Sequence, residues 1–401
     1  MTQTSLPITA KAPPPKTAGV NWSWRSQAFR GKLYQAILIL IIFAIGAYLT
    51  YNLNANMNAR GIQSGFDFLT QPAGFDIGES LTAFDSAQHY WVAFLIGLSN
   101  TLRVAIVGIV LTTILGTLLG IGRFSRNALV RGFCASYVSF FRNIPLLLQL
   151  FMWYILFTEM LPDAKNAWQA GSFYLSKGGL SFPKPLWELG YLTGFLGFIA
   201  GCIGFVFLRR KAIQYFEATG KLKSQFWLPL AAVIGATLVG WLVGGAPRAF
   251  DYPKVGEFAI ENGGALTPEF LAVLLGLTVY TAAFVAEVVR SGIASVPGGQ
   301  SEAARAVGLN PSQEMRLIML PQALRVMIPP MTNQYLNLTK NSSLAVAIGY
   351  PDVVSIANTA INQTGRAVEC IGIVMAVYLI TSLSTSIFMN WYNNRSAIME
   401  R

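Results

Sequence analysis

Residues 298–321 read GGQSEAARAVGLNPSQEMRLIMLP, a polar stretch that lies between two apolar segments long enough to enter a membrane. Within it, Ala303, Ala306 and Val307 recur at helical spacing and predict a small, flat apolar stripe on one face of a short helix. Gly308 then stands where a helix commonly ends in a left-handed residue. The first half of the stretch therefore predicts a short helix that can dock closely into a groove and that ends in a sharp turn.

The second half of the stretch carries the signals of a new helix. Asn310 and Pro311 are suited to the N-cap and the first helical position, and Gln313, three residues after Asn310, completes a capping box. Together the two halves predict a helix, a turn and a second helix. From spacing alone, a docking surface and an ordinary folded cytosolic loop are about equally good interpretations.

The composition is that of a membrane protein. Of the 401 residues, 53% are hydrophobic and only 12% are charged, which is roughly half the charged share of an average soluble domain. The net charge of +11 is spread between apolar runs, whereas a nucleic-acid-binding protein concentrates Lys and Arg on a hydrophilic domain. We therefore expect a membrane-embedded chain with no nucleic-acid partner.

Residues that carry catalytic or metal chemistry are scarce. The only cysteines and histidine are far apart, which predicts no metal site, no disulfide and no Ser/His/Asp or Cys/His catalytic set; they are Cys134, Cys202, Cys370 and His89. No Walker A motif is present, because Gly220-Lys221 is followed by Leu222 and no glycine precedes the pair at the required spacing. We expect no catalytic residues, no metal, no cofactor and no ATPase site, so this chain alone is not an enzyme.

The apolar segments predict an all-α protein with about eight transmembrane helices, and all but one of the segments have the roughly 17–25 residues that cross a bilayer. They cover residues 33–49, 91–121, 137–154, 192–208, 226–243, 268–289, 331–349 and 371–389. With the polar, Pro-rich residues 1–32 and the C-terminus in the cytosol, 19 Lys and Arg fall on the cytosolic side and seven outside. That asymmetry follows the positive-inside rule.

Glu302-Ala303-Ala304, then Gly308, then Ile318-x-Leu320-Pro321 resemble the EAA loop of permease subunits in bacterial ABC importers, the binding-protein-dependent transport permease family. The resemblance implies that these residues couple the chain to a separate ATPase. Further motifs are similar to the polar amino-acid branch of the family; they are GLSNTL at 97–102, FRNIPLLLQ at 141–149, YTAAFVAEVVR at 280–290, PGGQ at 297–300 and KNSSL at 340–344. One departure is Asn341, where the family pattern has an acidic residue.

The resemblance also implies a domain organisation. The five-helix core of a type I importer permease is expected in residues 91–160 and 266–392, with the cytosolic coupling loop at 290–330. Residues 33–51 add a span in front, residues 161–265 insert two further spans and external loops, and the cytosolic ends are 1–32 and 393–401. This enlarged form is similar to one subunit of general L-amino-acid importers, which pair two different permease subunits.

A few polar residues fall inside apolar segments, where an ion costs about 2.5–3.5 kcal/mol on insertion scales. The candidates for a substrate path are Arg142, Gln149, Glu287 and Lys340. Arg142 is expected to receive the substrate carboxylate through its guanidinium fork, and Glu287 the ammonium. The alternatives are structural: Glu287 and Arg290 are three residues apart and can pair with each other, and Arg142 can snorkel to the interface.

The leading hypothesis is a pore-forming subunit of an ATP-driven amino-acid importer in the bacterial inner membrane, working by alternating access. The expected partners are an ABC ATPase, a second and different permease subunit, a periplasmic amino-acid-binding protein and membrane lipid. The alternative is an ion-coupled secondary amino-acid transporter. Such carriers often show inverted repeats and spans broken by Gly or Pro in matching halves, and neither is evident here.

Overall fold

The computed structural model describes residues 24–396 except 25, 60, 62–63, 221–223, 225 and 258. The chain divides into two compact units. The smaller unit comprises described residues up to Phe66 together with Gly365–Glu369, and the larger one Asp67–Thr364 with the chain from Cys370 onward. The expected cytosolic tail lies outside the described residues over its first 23 positions.

The smaller unit contains the first helix, α1 (Gln27–Ala59), which covers the expected extra N-terminal span. Within this unit the backbone N–H of Gly65 donates to Oε1 of Glu369 at 2.7 Å, and Nη1 of Arg366 donates to the Gly65 carbonyl at 3.3 Å. Arg366, which precedes the last helix, and Glu369, in the first turn of that helix, therefore fix the end of the chain segment that follows α1.

The remaining helices range from three to 33 residues in length. They are α2 (Tyr90–Gly122), α3 (Ala128–Asn143), α4 (Leu146–Ile155), α5 (Leu189–Thr219), α6 (Trp227–Val243), α7 (Pro268–Ala294), α8 (Gly298–Ala306), α9 (Pro311–Gln313), α10 (Leu320–Asn341), α11 (Val353–Thr364) and α12 (Ala367–Ser396). Short 3₁₀ segments cover Asp67–Thr70, Ala164–Asn166 and Ser342–Ile348, and π-helical turns cover Leu156–Met160 and Glu314–Met319.

The chain is an all-α integral membrane protein. In the described part of the chain, five helices are long and apolar enough to cross a membrane, and two bent helix pairs bring the number to as many as seven. Helix α6 has 17 residues, which is the lower limit for crossing the hydrocarbon core. Each of the eight expected segments thus coincides with a helical segment, and the count of eight crossings stays a prediction.

The expected continuous span at 137–154 is wrong in one respect. Helix α3 ends at Asn143, Ile144 is extended, and the axis turns by 103° before α4 begins after Pro145. The reason is Pro145, because a proline disfavours helical geometry in the residue before it. The side-chain Nε2 of Gln149 donates to the carbonyls of Phe141 and Ile144 at 3.0 Å each, which satisfies backbone groups freed by the break.

The segment that was expected to be an insertion, residues 161–265, contains short strands, which the sequence had not indicated. Strands β1 (Trp168–Ala170), β2 (Phe173–Ser176) and β3 (Gly179–Phe182) form an antiparallel sheet that β8 (Gly264–Leu266) completes by pairing with β3. Two smaller pairs are β4 (Lys184–Pro185) with β5 (Phe250–Asp251), and β6 (Lys254–Val255) with β7 (Ile260–Glu261). The sheet therefore joins both ends of the insertion and leads directly into α7.

Helices α5 and α6 of the insertion pack closely on each other through small residues. A Cβ atom at Gly197 would lie 2.3 Å from the Ala236 carbonyl oxygen, and one at Gly240 would lie 2.3 Å from that of Thr193. Small residues that let two backbones approach are the usual means by which helices associate in lipid. The two extra helices therefore form a hairpin of their own.

Helices α2 and α7 form the centre of the larger unit. The largest core cluster contains Val104, Leu277, Leu338 and Tyr350, all fully buried. A Cβ atom at Gly120 would lie 2.9 Å from the Ala286 carbonyl oxygen, so α2 and α7 are nearly in backbone contact. This pair positions the loop that follows α7.

Candidate functional site

The loop between α7 and α10 contains the turn that the sequence predicts. Helix α8 ends at Ala306, and Gly308 adopts the left-handed conformation with φ of +80°. The N–H of Leu309 donates to the Ala304 carbonyl at 3.1 Å, and the N–H of Gly308 to the Arg305 carbonyl at 3.0 Å. These two bonds are those of a Schellman motif, so the predicted left-handed end of the helix is confirmed.

The predicted capping box is also present. The N–H of Gln313 donates to Oδ1 of Asn310 at 2.9 Å, and the N–H of Asn310 donates to Oε1 of Gln313 at 3.0 Å. Pro311 occupies the first turn of α9, where a missing N–H is tolerated. The chain then continues through the π-helical turn into α10, so the loop is helix, turn and helix as predicted.

Glu314, for which the sequence predicted no role, links α8 to the π-helical turn that leads into α10. The Ser301 hydroxyl donates to Oε1 of Glu314, and Nε of Arg305 donates to Oε2 at 3.2 Å. Glu314 is buried, and both partners lie on α8. The carboxylate therefore fixes the orientation of α8 against the chain that enters α10.

This arrangement determines which loop residues face solvent. Ala303, Ala306 and Val307 are exposed, as is Glu302, and the Val307 side chain is 76% exposed. Ala304 is buried at 3%. The predicted apolar stripe is thus free to contact another molecule. The remaining residues of the EAA motif lie where the π-helical turn joins α10 and are half-buried or exposed; they are Ile318, Leu320 and Pro321.

A cluster of ion pairs centred on Glu287 ties α7 to α2 and α3. Arg290 donates to Oε1 of Glu287 through Nε at 3.0 Å and Nη2 at 2.5 Å, and Nη1 of Arg123 donates to Oε2. Nη1 of Arg142 lies 3.9 Å from the same Oε2. Three guanidinium groups therefore share one carboxylate, and the pairing of Glu287 with Arg290 is the structural alternative weighed above.

The cluster borders a cavity of about 410 Å³; its lining residues are Arg123, Ala135, Val138, Ser139, Arg142, Asn143, Phe284 and Glu287. The guanidinium carbon of Arg142 lies 5.2 Å from the centroid of the Phe284 ring, which is within range of a cation–π interaction.

The four candidate path residues are not gathered at one place by any contact between them. Only Arg142 and Glu287 are in contact. Gln149 is 1% exposed and bonded to backbone carbonyls. Lys340 is exposed on α10 and forms no ion pair with any other described residue. A role in a substrate path stays a prediction for all four, and the geometry gives Glu287 and Gln149 structural partners.

At the opposite end of the α2–α7 pair, a second carboxylate, that of Glu79 in the loop before α2, pairs with an arginine of α2. Nη1 of Arg103 donates to Oε1 of Glu79 at 2.5 Å, and the hydroxyl of Thr267, the N-cap of α7, donates to Oε2. Nδ2 of Asn100 donates to the Glu79 carbonyl at 2.8 Å. Burial raises the pKa of the Glu79 carboxyl above its ordinary value of 4.5, against the opposing effects of Thr267 and Arg103.

Helices α2 and α7 are thus fastened to each other at two levels. Arg103 and Arg123 are 20 residues apart, as are Thr267 and Glu287, which corresponds to about 30 Å along a helix. Arg123 and Glu287 are 164 residues apart, and Thr267 and Glu79 are 188 residues apart, so local spacing could not have indicated these two contacts.

The sequence matches the family described as binding-protein-dependent transport system inner membrane component over residues 108–397. The chain belongs to this family. It is similar to the general L-amino acid transport system permease protein AapQ of Rhizobium johnstonii, with 44% identity over 388 residues that cover 96% of this chain and 97% of the relative.

One further relative and one solved structure are also similar to this chain. The glutamate/glutamine/aspartate/asparagine transport system permease protein BztB of Rhodobacter capsulatus is 36% identical over 412 residues, covering 93% of this chain and 95% of the relative. A crystal structure of an amino acid ABC transporter with histidines aligns with a TM-score of 0.46 and 19% identity, covering 76% of this chain and 95% of that one.

Family membership defines the class of the protein and confirms the resemblance inferred from the EAA loop. The chain is a multi-pass permease subunit of the inner membrane, without an ATPase site of its own. Membership in the family implies a substrate-binding protein and an ATPase as partners. It also favours an ATP-driven importer over the ion-coupled transporter that was the alternative hypothesis.

Proposed function

We propose that this chain is the pore-forming permease subunit of an ATP-driven amino-acid importer and that the exposed face of α8 docks the ATPase. The observation that carries the proposal is the apolar stripe of Ala303, Ala306 and Val307, which is exposed while Ala304 beside it is buried. Amino acids as substrates are supported by AapQ and BztB, whose names state amino-acid transport. The assembled complex, rather than this chain, would hydrolyse ATP.

The contacts suggest how movement of the ATPase would reach the membrane. Glu314 links α8 to the start of the following helix through Ser301 and Arg305, so that a force on the stripe moves both sides of the loop together. Helix α7 precedes this loop and is fastened to α2 at two levels. Closure of an ATPase dimer would therefore shift α7 and α2 as one body and open the pore to the outside.

The assembly and the orientation belong to the same proposal. A second, different permease chain would complete the pore, and a periplasmic amino-acid-binding protein would deliver the substrate to the outer face. The family core would comprise residues 91–160 and 266–392, and the insertion would lie beside it. The loop after α7 and both termini would face the cytosol, which is supported by the excess of Lys and Arg on that side.

Uptake by the reconstituted complex tests the importer function. The complex is placed in liposomes with its binding protein outside and ATP inside, and the uptake of labelled amino acids is measured. We expect uptake that needs ATP and the binding protein and that persists when ion gradients are abolished. Uptake that follows an imposed ion gradient without ATP would contradict the proposal. A complex with a catalytically inactive ATPase is the control.

Labelling with an impermeant thiol reagent tests the orientation. In a background without native cysteines, Asp76→Cys, Gln169→Cys and Asp251→Cys should react from outside intact cells, whereas Gly220→Cys should react only after lysis. The reverse pattern at any of these positions would break the proposed topology.

A further inference from the structure

The ion-pair cluster at Glu287 carries more positive than negative charge. Both oxygens of the Glu287 carboxylate are occupied, Oε1 by Arg290 and Oε2 by Arg123. Arg142 contributes a third guanidinium group, and arginine side chains stay charged in proteins. The cluster therefore has an excess of two positive charges at the edge of a cavity of about 410 Å³.

The guanidinium group of Arg142 is the one that remains available. Its Nη1 is 3.9 Å from Glu287, which is too long for a hydrogen bond, and it makes no hydrogen bond to another described residue. The side chain is 41% exposed and rests against the Phe284 ring. Such a planar fork of donors matches the oxygens of a carboxylate or a phosphate. Ser139 and Asn143 add polar groups to the same cavity.

The position of the cavity along the helices indicates which anion is available to bind in it. Arg123 directly follows the end of α2, and Arg290 is four residues before the end of α7, so the cavity lies at the membrane boundary on the side of the coupling loop. Helix α3 borders it and presents large exposed apolar side chains on another face, at Leu129, Phe133 and Phe140. Lipid head groups lie at this depth, and the exposed apolar side chains on the other face of α3 are free to contact acyl chains of neighbouring lipids.

We infer that the cavity binds the phosphate of an anionic phospholipid from the leaflet that faces the coupling loop. Basic pockets between transmembrane helices on the cytosolic side are suited to such head groups. The excess charge favours a lipid with net negative charge, because a zwitterionic head group brings its own cation. The bound phosphate would be held by the guanidinium group of Arg142 on α3. Assignment of this leaflet to the cytosolic side rests on the proposed function.

Lipid retention by the purified complex tests the inference without any transport assay. The complex is equilibrated in detergent with equal amounts of phosphatidylglycerol and phosphatidylcholine, and bound lipid is measured by native mass spectrometry. We expect the parent to retain phosphatidylglycerol preferentially. Arg142→Gln should lower its retention about fivefold. Arg126→Gln, which removes the same charge from the exposed turn outside the cavity, should change retention less than twofold, roughly.

Three outcomes would overturn the inference. Equal retention of both lipids by the parent would remove the charge preference, and this result stands even if Arg142→Gln does not assemble. Equal losses in both variants would indicate diffuse attraction to the basic surface. Binding of soluble glycerol phosphate as tightly as phosphatidylglycerol would indicate a site for free anions, such as a substrate carboxylate. None of these outcomes depends on whether uptake is driven by ATP.

Discussion

Buried or half-buried carboxylates stabilise both the loop between α7 and α10 and the contact between α2 and α7. The two regions differ in how far apart in the sequence the contacting residues are. In the loop, Glu314 accepts hydrogen bonds from Ser301 and Arg305, which precede it by 13 and 9 residues in the sequence. In the helix pair, Glu287 meets Arg123 across 164 residues, and Glu79 meets Thr267 across 188. The loop has a shape fixed by its neighbours in sequence, whereas the pair depends on the whole fold.

That difference explains what the sequence could predict. The turn at Gly308 and the capping box at Asn310 follow from rules that act over three to six residues, and both are confirmed. The apolar segments were located because hydrophobicity is a local property as well. The family was recognised because its motifs are short.

The rest could not be read from spacing. The third expected span ran through Pro145 as one helix, although the chain bends there by 103°. The four-stranded sheet was missed because its strands have only three or four residues and because β3 pairs with β8, which lies more than 80 residues later. The network around Glu79 was missed for the same reason, because Thr267 lies 188 residues from Glu79 in the sequence.

The largest effect on stability is expected at the centre of the long-range cluster. Glu287→Gln removes the charge that three guanidinium groups share and leaves them to repel one another. Hydrogen bonds to charged groups contribute about 1.5–3 kcal/mol each, so the variant should unfold at a clearly lower temperature in detergent. Glu217→Gln, which alters an exposed carboxylate on α5, should not. Equal melting temperatures would mean that the cluster does not fasten α7 to α2.

A smaller effect on stability, but a large one on coupling, is expected in the loop. Gly308→Val places a β-branched residue at φ of +80°, which costs about 1–2 kcal/mol or straightens the turn. Uptake per ATP hydrolysed should fall, and Gly308→Asn should be milder. Gly220 ends α5 at φ of +67° with similarly open surroundings, so Gly220→Val is a matched control that should leave coupling intact. Equal coupling in the two valine variants would contradict the role of the turn.

The smallest effect concerns pH at the far end of the helix pair. Because burial raises the pKa of Glu79, the folded protein holds this proton more tightly than the unfolded chain does. The stabilisation from Glu79 is therefore complete below the unfolded pKa and is lost as the pH rises through the raised folded pKa. The melting temperature of the parent, relative to that of Glu79→Gln, should decline as the pH rises above about 4.5. If the difference in melting temperature between the parent and Glu79→Gln does not change with pH, Glu79 is not protonated more readily in the folded state.

The central claim is that one face of α8 contacts the ATPase, and cross-linking at two adjacent residues tests it most directly. In a background without native cysteines, Ala303→Cys and Ala304→Cys are each combined with a short thiol cross-linker in the assembled complex. Ala303 is exposed and Ala304 is 3% exposed, so we predict a cross-link to the ATPase from position 303 and none from position 304. Equal cross-linking from both positions, or cross-linking from position 304 alone, would contradict the account.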